Sequence, residues 1–97
     1  MLPHVVRFNA AVCGDAYAEL LDDVGMHASA AAAGDTLAAW LTRLTAASGL
    51  ETTLAGCGVV APDVATLAAA AASQWTAGFN PRPVTAADLA PLYEAAG

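Results

Sequence analysis

The chain has 97 residues, the length of one small domain, and 58% of them are hydrophobic, with a mean hydropathy of +0.55. Its net charge is −6 and its only cations are three arginines, which excludes a basic surface for nucleic acid and argues against binding to an anionic membrane. No apolar segment is long enough to span a bilayer, and no signal peptide is evident at the start. We interpret Cys13 and Cys57 as reduced thiols and expect a cytoplasmic protein.

Alanine dominates the composition and has the highest helix propensity of all residues, so an all-α fold is expected. The pattern is helical throughout, with no strand-like alternation, no internal repeat and no linker. We therefore predict a single all-helical domain over residues 1–97, built as a small bundle or orthogonal array of about five helices. Alanine buries little apolar area per residue, which suggests a domain that depends on contacts outside itself for part of its stability.

In the first half of the chain, residues 2–8 are predicted to be the last turns of a helix that ends near Asn9. Asp15 is a candidate N-cap for the next helix, and Gly25 is a candidate stop. The apolar residues between them share one helical face: Tyr17, Leu20, Leu21 and Val24.

Residues 26–34 fit either a loop or the early part of the following helix. Asp35 is a candidate N-cap for a helix that runs through Ser48 and ends at Gly49. Its apolar stripe consists of Leu37, Trp40, Leu41 and Leu44. Residues 52–56 are predicted to form a short helical turn, and residues 58–60 an apolar link.

The second half begins with a strong helix start at residues 61–63, because Pro62 suits the first turn and Asp63 suits the positive end of the helix dipole. The predicted buried stripe of this helix is Val64, Leu67, Ala68, Ala71 and Trp75. Residues 78–83 are predicted to form a rigid loop. Thr85 and Asp88 have the spacing of a capping box for a last helix, which carries an apolar side made of Leu89, Leu92, Tyr93 and Ala96.

Residues that could carry chemistry are few. His4 and His27 lie in no metal-binding spacing such as HExxH or CxxC, and we interpret His27 as solvated. Asp22 and Asp23 are adjacent on a helix and point about 100° apart, so they do not converge as a carboxylate pair. No glycine pattern follows a strand, so no nucleotide-binding loop is predicted. Trp40 and Tyr93 are expected in the core.

The segment 80–83, Asn-Pro-Arg-Pro, is predicted to be a structural clamp between helices. Asn80 precedes a proline and is therefore biased to extended backbone, from which its amide can hold the loop. Arg82 can donate to helix-end carbonyls or to a carboxylate.

Two motifs at opposite ends of the chain, LPHVVRFN at residues 2–9 and NPRPVT at residues 80–85, resemble the C-terminal helical region of iron-containing (group III) alcohol dehydrogenases. Residues 16–20 and the segment GLETTL at 49–54 are similar to further parts of that region, although Glu51 stands where proline is common. The resemblance implies part of a C-terminal helical domain of the dehydroquinate-synthase-like type. In that family the metal ligands lie upstream of LPHV, and a separate N-terminal domain binds the nucleotide.

The resemblance therefore implies a parent enzyme that uses NAD(P) and Fe²⁺ or Zn²⁺ for alcohol and aldehyde oxidoreduction, and that is a homodimer. This chain would be its C-terminal fragment, without the cofactor and metal sites and inactive alone, and its partner would be the rest of the enzyme or another subunit. Thr76 and Phe79 are carried over as neighbours of the substrate pocket; the structural alternative is that Phe79 plugs the loop into the bundle. The alternatives for the whole are the C-terminal part of a maleylacetate reductase, or a free-standing, non-catalytic helical module that docks on a partner.

Overall fold

The computed structural model describes residues 1–59 and 63–97, and within these ranges the chain is all helical and contains no strand. The elements are α1 (Leu2–Asp23), α2 (Ala30–Ala47), α3 (Val64–Ser73), a 3₁₀ helix (Trp75–Phe79) and α4 (Ala86–Ala96). The all-α prediction is confirmed, and the count is close to the five pieces expected. The chain divides into two compact units, one of residues 2–50 and one of residues 51–97 with which Met1 is grouped.

In the first unit, α1 is one continuous helix of 22 residues, so the predicted break near Asn9 and the predicted N-cap at Asp15 are wrong. Asparagine is common at helix ends because its short amide competes with the backbone for hydrogen bonds. Instead Asn9 is only 5% exposed, and its side chain is hydrogen-bonded to Tyr17 two turns further along the same helix. This side-chain partner removes that competition and lets the helix continue.

Two glycines allow the close approach of α1 and α2. A Cβ placed on Gly14 would lie 2.6 Å from the carbonyl oxygen of Ala30, and one placed on Gly34 would collide with the side chain of Ala10. Both glycines therefore act as packing positions inside helices. Gly14, the neighbour of the predicted N-cap Asp15, lies well inside α1.

The second helix begins earlier than predicted. Ser29 is its N-cap, with a side-chain oxygen that accepts from the backbone N–H of Ala32, and Asp35 lies inside the helix rather than at its start. Asp35 instead accepts a hydrogen bond of 3.1 Å from Nε of Arg7. The predicted stops are confirmed, because Gly25 and Gly49 have φ of 77° and 74°, a left-handed conformation that favours glycine.

The core of this unit is small and made of five buried residues: Val6, Leu21, Ala33, Leu37 and Ala38. The predicted stripes are only partly buried. Trp40, expected in the core, is 38% exposed, and Leu44 one turn later is 48% exposed. The buried residues of α2 are instead Ala33, Gly34, Leu37 and Ala38.

In the second unit α3 packs on α4, with Ala68 and Ala96 as the buried residues. Asp63 caps α3 by accepting from the backbone N–H of Thr66, which confirms the predicted start at this residue; Val60, Ala61 and Pro62 lie outside the described residues. Residues 54–58 form hydrogen-bonded turns, in which the N–H of Cys57 donates to the carbonyl oxygen of Thr53, close to the short helical turn predicted at 52–56. The N–H of Leu54 donates to the carbonyl oxygen of Ala96 at 2.9 Å. Tyr93 is half-buried.

Candidate functional site

The segment between α3 and α4, residues 75–85, contains the residues that the sequence singled out. It starts with the 3₁₀ helix, because α3 ends at Ser73 and Gln74 adopts extended backbone. Trp75 was predicted as the last residue of the α3 stripe, and that prediction is wrong: the residue is 77% exposed. The polar pair Ser73–Gln74 before it was the signal in the sequence for a helix end.

Trp75 and Phe79 form an edge-to-face aromatic pair. Their ring centroids are 5.5 Å apart and their planes meet at 87°, the geometry that aromatic quadrupoles favour. Phe79 is 75% exposed, so the alternative in which its ring plugs the loop into the bundle is wrong. Thr76, between the two rings in sequence, is exposed as well.

An open cavity of about 420 Å³ lies beside this helix. Its lining is uncharged, and Asn80 contributes the one amide side chain. The lining residues are Ala72, Ala77, Gly78, Asn80, Pro81, Pro83 and Val84. A volume of this size falls within the range of small-molecule sites. Neither Thr76 nor Phe79 belongs to the lining, although Phe79 lies between two residues that do.

The loop behind the cavity is held by its own side chains. Asn80 has extended backbone, as the following proline predicts, and its Nδ2 donates to the carbonyl oxygen of Arg82 at 2.5 Å. Both residues are half-buried. The hydrogen bond ties together the two sides of Pro81. Whether Asn80 and Arg82 clamp one helix to another in the enzyme stays a prediction.

The far end of the loop is fixed by the capping box that the sequence predicted. The backbone N–H of Asp88 donates to Oγ1 of Thr85, and the backbone N–H of Thr85 donates to Oδ2 of Asp88 at 2.9 Å. The hydrogen bonds from Thr85 lower the pKa of the Asp88 carboxyl below its ordinary value, and the positive charge of Arg82 adds to the effect. Asp88 is therefore held as a carboxylate at the positive end of α4.

The titratable groups elsewhere do not converge on this loop. Within residues 1–59 and 63–97, no three of the His, Cys, Asp and Glu side chains come together as a metal site would need. Partial burial, followed by nearby positive charges that include Arg7, lowers the pKa of His4. His27 is solvated as expected, and its Nδ1 lies 2.6 Å from Oδ1 of Asp22.

Both cysteines are free thiols, with Cys13 half-buried and Cys57 exposed. Cys13 lies one turn before Tyr17 on α1. Burial raises the pKa of the Tyr17 phenol above its ordinary value and Cys13 adds to the rise, whereas the hydrogen bond with Asn9 opposes it. Asn9, Cys13 and Tyr17 all lie on α1, in the unit of residues 2–50, whereas the aromatic pair lies in the unit of residues 51–97.

The described residues are all helical, and the last helix follows a capped NPRPVT loop. The chain matches the family described as Fe-containing alcohol dehydrogenase, C-terminal, over residues 1–97. It therefore belongs to that family, in its C-terminal region. No curated protein and no solved structure matches the chain significantly.

None of the helices in the described ranges is both long enough and apolar enough to cross a membrane.

Proposed function

We propose that this chain is the C-terminal part of an NAD(P)-linked, metal-dependent alcohol dehydrogenase, in which it walls the active site and braces the helices that bear the metal. The observation that carries the proposal is the family match over all 97 residues. The chemistry of that class is hydride exchange between nicotinamide and an alcohol carbon. In this proposal the residues that bind nucleotide and metal come from the rest of the enzyme or from a partner subunit, and the chain is inactive alone.

The surface of the chain supports a role inside a larger protein. The described residues bury few large apolar side chains, and Leu21 is the only large one that is almost completely enclosed among them. Several others are half exposed or more outside the loop of residues 75–85: Leu2, Val12, Val24 and Leu50. Exposed apolar side chains in such number are typical of a surface that another segment covers. We expect the assembled enzyme to be a homodimer in the cytoplasm, where free thiols such as Cys57 stay reduced.

The loop of residues 75–85 is the part of the chain that we assign to the active-site wall. Thr76 and Phe79 are exposed on a short helix beside an uncharged cavity, so both can face a substrate without any rearrangement. Asn80 and Thr85 fix the backbone behind them through hydrogen bonds. A wall held in this way positions a substrate without contributing protons or charge to the reaction.

The experiment is an assay of the assembled enzyme that carries this chain, supplied with Fe²⁺ or Zn²⁺ and with NAD⁺ or NADP⁺. Formation of reduced nicotinamide from a primary alcohol is expected, together with no formation by the 97-residue chain alone. Activity of the isolated chain, or an assembled enzyme that reduces maleylacetate and no aldehyde, would contradict the proposal. A chain that unfolds cooperatively as a clean monomer or dimer, with no enzyme to complete, would instead indicate a free-standing helical module.

A further inference from the structure

We propose that the enzyme's substrate is an uncharged alcohol or aldehyde with an apolar chain or ring, and that Trp75 and Phe79 select it by packing against that apolar part. The inference rests on the proposed function and adds to it the class of substrate. It starts from the two most exposed aromatic side chains of the described residues, which no sequence pattern had assigned together.

The aromatic pair is arranged to bind an apolar group. A 3₁₀ helix of five residues carries Trp75 at its start and Phe79 at its end, and both rings are about three-quarters exposed. The edge-to-face contact fixes each ring against the other and leaves most of their apolar surface open. Exposed apolar surface is unfavourable in water. Binding is therefore favoured when the apolar part of a ligand covers it.

The neighbouring cavity has the same character. Phe79 lies between Gly78 and Asn80, which both line the cavity, and the remaining lining is alanine, proline and valine. The only side chain there with hydrogen-bonding groups is the amide of Asn80, whose Nδ2 is already donated to the carbonyl oxygen of Arg82. The lining therefore offers packing surface and no ion-pairing group.

The charge of this unit disfavours an anionic substrate. Residues 51–97 contain four acids and a single cation, Arg82. The positive charge of Arg82 acts on the Asp88 carboxylate, whose pKa it helps to lower. A dicarboxylate such as maleylacetate needs arginines or lysines to bind its carboxylates, and a net negative surface repels it. Charge complementarity thus favours a neutral ligand.

The test compares kcat/KM of the assembled enzyme for 1-hexanol, ethanol and glycerol. We expect 1-hexanol to be preferred over ethanol by roughly tenfold or more, because each methylene packed in an apolar site adds to the discrimination. Phe79→Ala should lower the ratio of the hexanol value to the ethanol value by roughly tenfold, whereas Phe79→Leu, which keeps apolar bulk, should retain most of it. Trp40→Phe, a change on α2 outside this loop, is the control and should leave the ratio unchanged.

A second readout does not depend on turnover. In a Trp40→Phe background Trp75 is the only tryptophan of these 97 residues, and its emission is the part that a further Trp75→Phe change removes. We expect 1-hexanol to shift this emission to shorter wavelength as the alcohol covers the indole. An emission that 1-hexanol leaves unchanged would overturn the inference, as would an emission already shifted before any ligand is added, since another protein segment would then occupy the pair.

The kinetic outcomes separate the two proposals. Equal loss for hexanol and ethanol in Phe79→Ala, or no preference for 1-hexanol in the unaltered enzyme, would overturn the substrate class and leave the dehydrogenase assignment intact. Faster turnover of glycerol than of 1-hexanol would do the same. Absence of any alcohol oxidation and aldehyde reduction would overturn the proposed function itself, and the substrate class with it.

Discussion

The side-chain amide of Asn80 donates a hydrogen bond of 2.5 Å to the carbonyl oxygen of Arg82, across the intervening Pro81. This bond joins the two ends of the sharpest part of the loop that leads from the exposed aromatic pair to the capped start of α4. The loop therefore presents Trp75 and Phe79 from a backbone that is fixed on both sides.

If the Asn80 bond is structural, Asn80→Ala and Asn80→Asp should both lower the free energy of unfolding of the assembled enzyme, by about 1 kcal/mol. Aspartate keeps the shape of the side chain but cannot donate when ionised. Thermal denaturation and kcat are the measurements. Gln74→Ala is a matched control, because this exposed amide makes no cap to the 3₁₀ helix. Lower turnover in the Asn80 variants at unchanged thermal stability would show that the clamp interpretation is wrong.

Removal of the capping-box hydroxyl should destabilise α4. We expect Thr85→Ala to cost about 1 kcal/mol in the free energy of unfolding, because the N–H of Asp88 then loses its side-chain acceptor. Urea denaturation of the chain measures the change. Thr85→Ser keeps the oxygen and is expected to restore most of the loss, so a serine variant as unstable as the alanine variant would argue against capping as the cause.

The two capping aspartates predict a pH dependence. Hydrogen bonds from Thr66 lower the pKa of Asp63, and those from Thr85 lower the pKa of Asp88. A carboxyl whose pKa is lower in the folded state stabilises the fold above the unfolded pKa of about 4, and the contribution disappears as the pH falls through the folded pKa. Denaturation between pH 7 and pH 2 should therefore show a steeper acid loss for the unaltered chain than for an Asp63→Asn, Asp88→Asn double variant. Parallel curves would contradict this expectation.

Gly34 is the most sensitive small position in the first unit. Gly34→Ala places a methyl group on the side chain of Ala10, and overpacking of this kind costs about 1–3 kcal/mol, which exceeds the gain in helix propensity. Chemical denaturation measures the loss. Gly78→Ala is the control, since a Cβ there meets nothing within 4 Å. A Gly34→Ala chain as stable as the unaltered one would mean that α1 and α2 lie further apart than described.

The free thiols differ in exposure, and their reactivity should differ in the same order. Cys57 is exposed and Cys13 half-buried. A thiol reagent such as iodoacetamide should label Cys57 faster under native conditions, and Cys57→Ser should remove the fast phase. Equal rates at the two sites would contradict the described burial of Cys13.

The local signals in the sequence were reliable where the cause is local. The capping box of Thr85 and Asp88 and the glycine stops at 25 and 49 depend on residues within a few positions, and all were predicted, as was the place of Asp63 at the start of α3. The continuity of α1 could not be predicted in this way. Asn9 and Gly14 are typical of helix ends, and only their partners, Tyr17 and the backbone of Ala30, make them interior positions.

The candidate site was predictable only in part. The motif at residues 80–85 and the neighbours Thr76 and Phe79 were identified from the resemblance, but the pairing of Phe79 with Trp75 was not. Helical periodicity placed Trp75 on the buried stripe of α3, and the earlier end of that helix, at Ser73, puts it outside. The position of an apolar side chain after a helix end is decided by the change of backbone conformation, here at Gln74, which a periodic pattern does not contain.

The central claim is that this chain completes an iron-type alcohol dehydrogenase. The measurement that tests it most directly is the sequence of the gene immediately upstream of the Met1 codon, together with any adjacent gene for a partner subunit. We expect a coding segment with a glycine-rich nucleotide-binding loop and a histidine-rich metal-binding segment, in frame with this chain or in that partner. A gene that begins at Met1 with its own ribosome-binding site, and no neighbouring gene that encodes these two segments, would contradict the claim.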